Sequence, residues 1–147
     1  MKPATIPYPI AERQAMAEEW NRLLGMLHVG ARADFSDADR VVVAIDPVQP
    51  HHRGGMGTDA VNGAILAGLF DVAIGIVGHL HAAGRRAGTT QLSIQFIRPL
   101  HGGSAVVSAR LVKAGSNLVF ATAEAADERG VQCARADGIV ALVGEKG

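Results

Sequence analysis

One cysteine, one tryptophan, one tyrosine and four phenylalanines are all that this 147-residue chain holds of those types, and its formal charge is zero. Each scarcity removes a class of function. A single thiol, Cys133, closes no internal disulfide and has no CxxC neighbour, which excludes a cysteine-based zinc site and fits a reducing, cytoplasmic setting. Fourteen basic residues offset fourteen acidic ones, and no Lys/Arg cluster is interleaved with aromatics, so no nucleic-acid groove is expected. The first ten residues, MKPATIPYPI, carry three prolines where a secretory leader needs an apolar run, and no targeting peptide is read there. His51 and His52 lack the helical spacing of a metal motif, so neither a metal nor any other cofactor is expected.

What the chain does have is apolar bulk. A 48% apolar share is enough to build a real core, and no linker, repeat or low-complexity tract divides residues 1–147, which read as one domain. Asp71 is the only charged residue between Asp59 and Arg85. Burying its carboxylate among Leu66, Leu69, Phe70, Val72, Ile74 and Ile76 costs on the order of several kcal/mol without compensation, and an acid kept at such a cost usually has a chemical role. Residues 60–80 are also long enough, at about 20, to cross a bilayer. An acid at the centre of a spanning helix costs roughly 2.5–3.5 kcal/mol, and strands suited to a sheet follow, so a helix buried by its own protein is expected and no membrane partner.

Along the chain, residues 11–28 place Met16, Trp20, Leu23, Leu24 and Leu27 at helical spacing and predict a peripheral amphipathic helix. Residues 29–39 read as a connection, and 40–45 as the first strand. A loop rich in Gly, Pro and His, residues 48–61, then runs into the apolar helix. Asn62 can cap that helix, with Thr58 or Asp59 as alternative caps a turn earlier, and Gly63 leaves the first N–H groups approachable. The helix is expected to end near Gly84, followed by strands at 88–99, 104–113, 117–127 and 131–143 with Gly-rich or charged turns between them. A meander buries a helix that is apolar on every side only by curling round it. The expected class is therefore α+β, an antiparallel sheet wrapped around a long central helix with an extra N-terminal helix.

Two segments carry a resemblance to a known family. NGAILAGLFDVAIG is similar to the pattern of phenylacetic-acid-pathway-type thioesterases, a His-Gly-Gly followed by an acid, an alanine and a glycine; Asn62 stands at the His, Gly63 and Ala64 at the glycines, and Asp71, Ala73 and Gly75 match the rest. TTQLSIQFIRPL resembles the family's next strand, which begins near the site with Ser or Thr and ends Phe-x-Arg-Pro, here Thr89, Phe96, Arg98 and Pro99. Over about residues 38–143 the chain thus resembles the hotdog-fold acyl-CoA thioesterases.

The resemblance implies hydrolysis of an acyl-CoA thioester to a carboxylic acid and free coenzyme A, with coenzyme A present only as part of the substrate. Catalytic roles fall to Asp71 as general base or nucleophile, to the Gly63 N–H as oxyanion donor, and to Asn62 at the helix start, itself first of all a cap. Substrate contacts are expected from Thr89, Thr90, His52, Phe70, Phe96 and Arg98. Arg85 and Arg86 join Arg98 as candidates for the phosphates of coenzyme A, although solvated arginines are the commoner outcome. Gly63 and Asp71 lie roughly 12 Å apart along one helix, so a single helix does not easily present both to one carbonyl. The family solves this with a homodimer, or a dimer of dimers, whose site lies across the interface. Two other readings stand beside hydrolysis: a non-catalytic acyl-CoA-binding or regulatory domain, and a hotdog dehydratase or hydratase, which wants a His and acid pair.

Overall fold

The computed structural model describes residues 5–55 and 57–145. Helix α3, Gly63–Leu80, buries Leu66, Leu69, Phe70, Ala73, Ile74, Ile76, Val77 and Leu80, and six antiparallel strands curl about that face. In chain order they are β1 (Ala31–Asp34), β2 (Val41–Ile45), β3 (Arg86–Phe96), β4 (Ala105–Ala114), β5 (Leu118–Ala126) and β6 (Gln132–Val143), arranged across the sheet as β1-β2-β4-β5-β6-β3. Alternation explains the fit. Val41, Val43 and Ile45 of β2, Val107 of β4 and Val119 of β5 point inward, while the inner face of β5 and β6 is mostly alanine (121, 123, 125, 134 and 136). Those short side chains let α3 settle close to the sheet. At two points the approach is so tight that only glycine fits: a Cβ on Gly78 would stand 2.6 Å from Val140 Cβ, and one on Gly138 would stand 2.8 Å from Ile74 Cγ2.

Two shorter helices precede the sheet, α1 (Ile10–Asn21) and α2 (Leu24–Val29). The expected single amphipathic helix is broken at Leu23, whose extended backbone (ψ 136°) turns the chain. Its expected apolar face also differs. Met16 and Trp20 pack on the core, but Leu23, Leu24 and Leu27 are exposed, and α1 instead buries Arg13, Ala17 and Asn21. Asn21 explains why: its Nδ2 donates to the Ala33 carbonyl (2.9 Å) and its Oδ1 accepts from the Ala33 N–H (2.6 Å), so one side chain pairs with β1 as a neighbouring strand would. The connection expected at 29–39 therefore holds a strand. β1 is four residues long and inward-facing only through Ala31 and Ala33, too short and too small-sided to announce itself.

α3 stops at Leu80, a turn before the expected end, where Ala83 and Gly84 take positive φ (51° and 83°) and turn the chain into β3. β3 lies at the sheet edge, paired with β6 on one side and with no partner on the other among the described residues. From β3 the chain crosses over the start of α3 to reach β4. There the Val61 N–H donates to the Leu100 carbonyl (2.9 Å), Arg53 Nη2 to Gly102 O (2.6 Å) and the Val48 N–H to Gly103 O (2.8 Å). These bonds stitch both loops around the N-terminus of α3.

Candidate active site

The helix start is built by Asn62. Its Oδ1 accepts the Ala64 N–H (2.8 Å) and its Nδ2 donates to the Gly54 carbonyl (2.9 Å), so the amide is spent within the chain. The N–H groups of Ile65 and Leu66 both reach the Asn62 carbonyl. Of the first-turn donors, only the Gly63 N–H has no acceptor among the described residues. It opens into a shallow groove of about 310 Å³ that Phe96 and Arg98 also line, and a Cβ on Gly63 would lie 3.5 Å from the Phe96 ring. The sequence-predicted Gly63, Phe96 and Arg98 are thus brought together.

Asp71 sits elsewhere and differently from expectation. Its side is exposed, not buried, because α3 turns only one face to the sheet; the other carries Ala64, Gly68 and Asp71. That face forms the floor of a second groove, about 410 Å³, between α3 and the α1–α2 corner. Ile65, Leu69 and Val72 line it from α3, and Trp20, Leu23, Gly25, Met26 and Val29 from above. Among the described residues, Asp71 is the only ionisable side chain on its lining. Trp20 closes one end, edge-on to His79 with ring centroids 5.9 Å apart. One turn on from Asp71, Gly75 faces the Thr89 hydroxyl, 3.5 Å from where its Cβ would be. Neighbouring Thr90 is exposed at a bulge in β3 and bonds the Ile139 carbonyl (3.2 Å).

Two other expected substrate contacts lie away from both grooves. Phe70 is fully buried in the core under α3. His52 is 1% exposed, with Nδ1 accepting the Gln49 N–H (2.9 Å) and Nε2 meeting the Val29 carbonyl (2.5 Å). The Gln49 bond fixes the proton on Nε2, so neither nitrogen is left for a ligand. Its work is positional: it pins the end of α2 and hence the Val29 wall of the groove. Arg85 is likewise committed, donating to Gly144 O (2.8 Å), Leu142 O (3.0 Å), Asn117 Oδ1 (3.1 Å) and the Ser116 carbonyl. Among the described residues, no three of His, Cys, Asp and Glu gather to hold a metal ion. Sequence reading missed the α2 side of the groove, although Leu23, Leu24 and Leu27 crowded around Gly25 were its visible trace.

A six-stranded antiparallel sheet curled round one long helix defines the hotdog class. The chain belongs to the thioesterase superfamily, whose profile matches residues 59–134, just over half its length. Solved structures superpose on nearly all of it. The Escherichia coli PaaI protein from the phenylacetic acid degradation operon aligns with a TM-score of 0.79 at 17% identity, over 94% of this chain and 99% of that one. A conserved protein from Pseudomonas aeruginosa gives 0.74 at 24% identity, over 86% and 99%. A thioesterase from Haemophilus influenzae gives 0.75 at 12% identity, over 89% and 90%. Identities this low speak for the fold alone. No curated protein matches the chain.

Proposed function

We propose that this chain is an acyl-CoA thioesterase that works as a cytoplasmic homodimer or dimer of dimers, releasing a carboxylic acid and free coenzyme A. The observation that carries the reading is the pair of unspent groups on α3: the Gly63 N–H, the one first-turn donor without an acceptor among the described residues, and Asp71, the lone ionisable group on the lining of the apolar groove. An N–H at a helix start is pre-aimed at developing negative charge, and the helix dipole favours an oxyanion there. Asp71 serves as general base on water, or attacks the carbonyl itself to give an anhydride that water opens. The leaving thiolate needs little help, and coenzyme A arrives with the substrate, so no further cofactor is asked for.

One chain keeps the two groups roughly 12 Å apart along α3 and in different grooves, which favours a site completed by a second copy. β3 supplies a surface for it: from Ala87 to Phe96 its edge carries no charge and no proline, the devices that normally keep an edge strand single. Pairing of two β3 edges about a two-fold axis is expected to set the helices antiparallel, with Asp71 of one subunit facing the partner's Gly63.

A second reading, acyl-CoA binding without turnover, has one observation in its favour. Asn62 occupies the family's histidine position, and both ends of its amide are already bonded within the chain. A dehydratase is disfavoured because Asn62 stands at the histidine position and, among the described residues, no histidine lines either groove. Free-thiol release from a panel of acyl-CoA esters decides between them. Asp71→Asn is expected to lower kcat by about 10²–10⁴-fold with the fold intact. Binding without thiol release by the unmodified protein supports the second reading, and near-normal turnover by Asp71→Asn removes Asp71 from the mechanism.

A further inference from the structure

We infer that the groove under the α1–α2 corner holds the acyl group of the thioester and selects uncharged apolar acyl groups of at least a phenyl ring's bulk. The inference rests on the thioesterase reading and adds the substrate class. Size comes first. An apolar cavity of about 150 Å³ admits benzene, and this groove offers about 410 Å³. Both walls are apolar, with Trp20, Met26 and Val29 facing Ile65, Leu69 and Val72. An acetyl group would leave most of that surface unfilled, whereas a ring or a medium-length chain covers it. Charge comes second. Among the described residues, the one ionisable group on the lining is a carboxylate, so a second carboxylate at the far end of the acyl group finds no counter-charge from them and meets repulsion from Asp71.

The groove is kept open from both sides by glycine. Gly25 of α2 and Gly68 of α3 both line it, and a Cβ at either position would meet nothing within 4 Å. Neither takes a left-handed φ, and Gly68 weakens its helix by about 1 kcal/mol relative to alanine. No backbone or packing requirement accounts for them, whereas space for a ligand does. α1 and α2 lie wholly outside residues 59–134, so this wall of the groove falls outside the segment matched by the family profile.

Trp20 is the sole tryptophan and lines the groove, so its emission reports occupancy independently of turnover. Titrations with octanoyl-CoA, acetyl-CoA and succinyl-CoA are expected to shift the emission only with octanoyl-CoA. Gly68→Leu, filling the open space from the floor, is expected to lower kcat/KM for octanoyl-CoA relative to acetyl-CoA by about tenfold or more, chiefly through KM. An equal loss on both substrates, an emission response blind to acyl bulk, or a preference for succinyl-CoA overturns the inference. If the unmodified protein releases no thiol at all, hydrolysis is what fails, and the Trp20 titrations, repeated on Gly68→Leu, still decide the acyl site: octanoyl-CoA must shift the emission of the unmodified protein and lose that effect in the variant.

Discussion

The same substitution placed at two glycines of one helix is expected to move stability in opposite directions. Alanine at Gly78 or at Gly68 gains about 1 kcal/mol of helix propensity in either case. At Gly68 nothing lies within 4 Å of the new methyl, so the gain survives. At Gly78 the methyl would stand 2.6 Å from Val140 Cβ and 2.8 Å from its Cγ2, distances no packed carbon pair holds, and Val140 is a fully buried β-branched residue with no free rotamer to yield into. At contacts this short, forcing α3 off the sheet costs about 2–3 kcal/mol, the upper part of the overpacking range. The net expectation is a loss of about 1–2 kcal/mol for Gly78→Ala, against a gain of about 0.5–1 kcal/mol for Gly68→Ala. With roughly 2–4 °C per kcal/mol for a domain of this size, the two melting temperatures should bracket that of the unmodified protein by several degrees. Thermal and urea unfolding at one protein concentration measure this, the fixed concentration guarding against any shift from assembly. Adding Val140→Ala to Gly78→Ala should cost less than the two single losses together, because the residues touch. A Gly78→Ala protein as stable as the parent would refute the close helix–sheet approach. A loss at Gly68 would mean that something already fills the space above it.

Asn21→Ala strips Ala33 of both its bonding partners outside the sheet and is expected to destabilise by about 1–3 kcal/mol, with faster hydrogen exchange confined to β1 and α1 as the local signature. Asp127 accepts the N–H groups of Val131 (3.0 Å) and Arg129 (2.9 Å), and the Val131 bond above all holds its pKa below the ordinary carboxylate value. Its folded pKa being the lower one, its contribution is complete above about pH 5 and lost as pH falls through the depressed value; the Tm gap between the parent and Asp127→Asn should stay constant above that pH and close below it. Mixing Asp71→Ala with Gly63→Pro, each first shown to fold and dimerise, is expected to restore up to one working site per heterodimer, whereas a fully active monomer would sink the shared site.

The central helix and five of the six strands were legible because periodicity survives where a face is buried: alternate residues in 90–96 and an apolar run at 63–80 announce strand and helix without help. The capping role of Asn62 was legible for a related reason, since a cap is a local bond. Tertiary choices were not. Whether Asp71 faces the sheet or the solvent depends on which side of α3 the strands take, and a helix apolar nearly all round does not say. His52 looked like loop chemistry because its two bonds run to Gln49 and, across the sequence, to Val29. The groove itself arises from a break at Leu23 whose one mark in the sequence is Gly25, two residues on, and helical spacing carried the leucines inward past it.

The position of β3 at the edge has a cost in time. Its partner within the chain is β6, with Phe96 against Ala134 and Arg86 against Val143, so the ribosome must add roughly 40 more residues before that pairing is possible. At about 5–20 residues per second, the wait is on the order of 2–8 s. For that interval a strand uncharged from Ala87 to Phe96 is open on both sides, next to every other nascent copy on the same message. Once β6 arrives, one side closes; the other stays a template for whatever strand meets it.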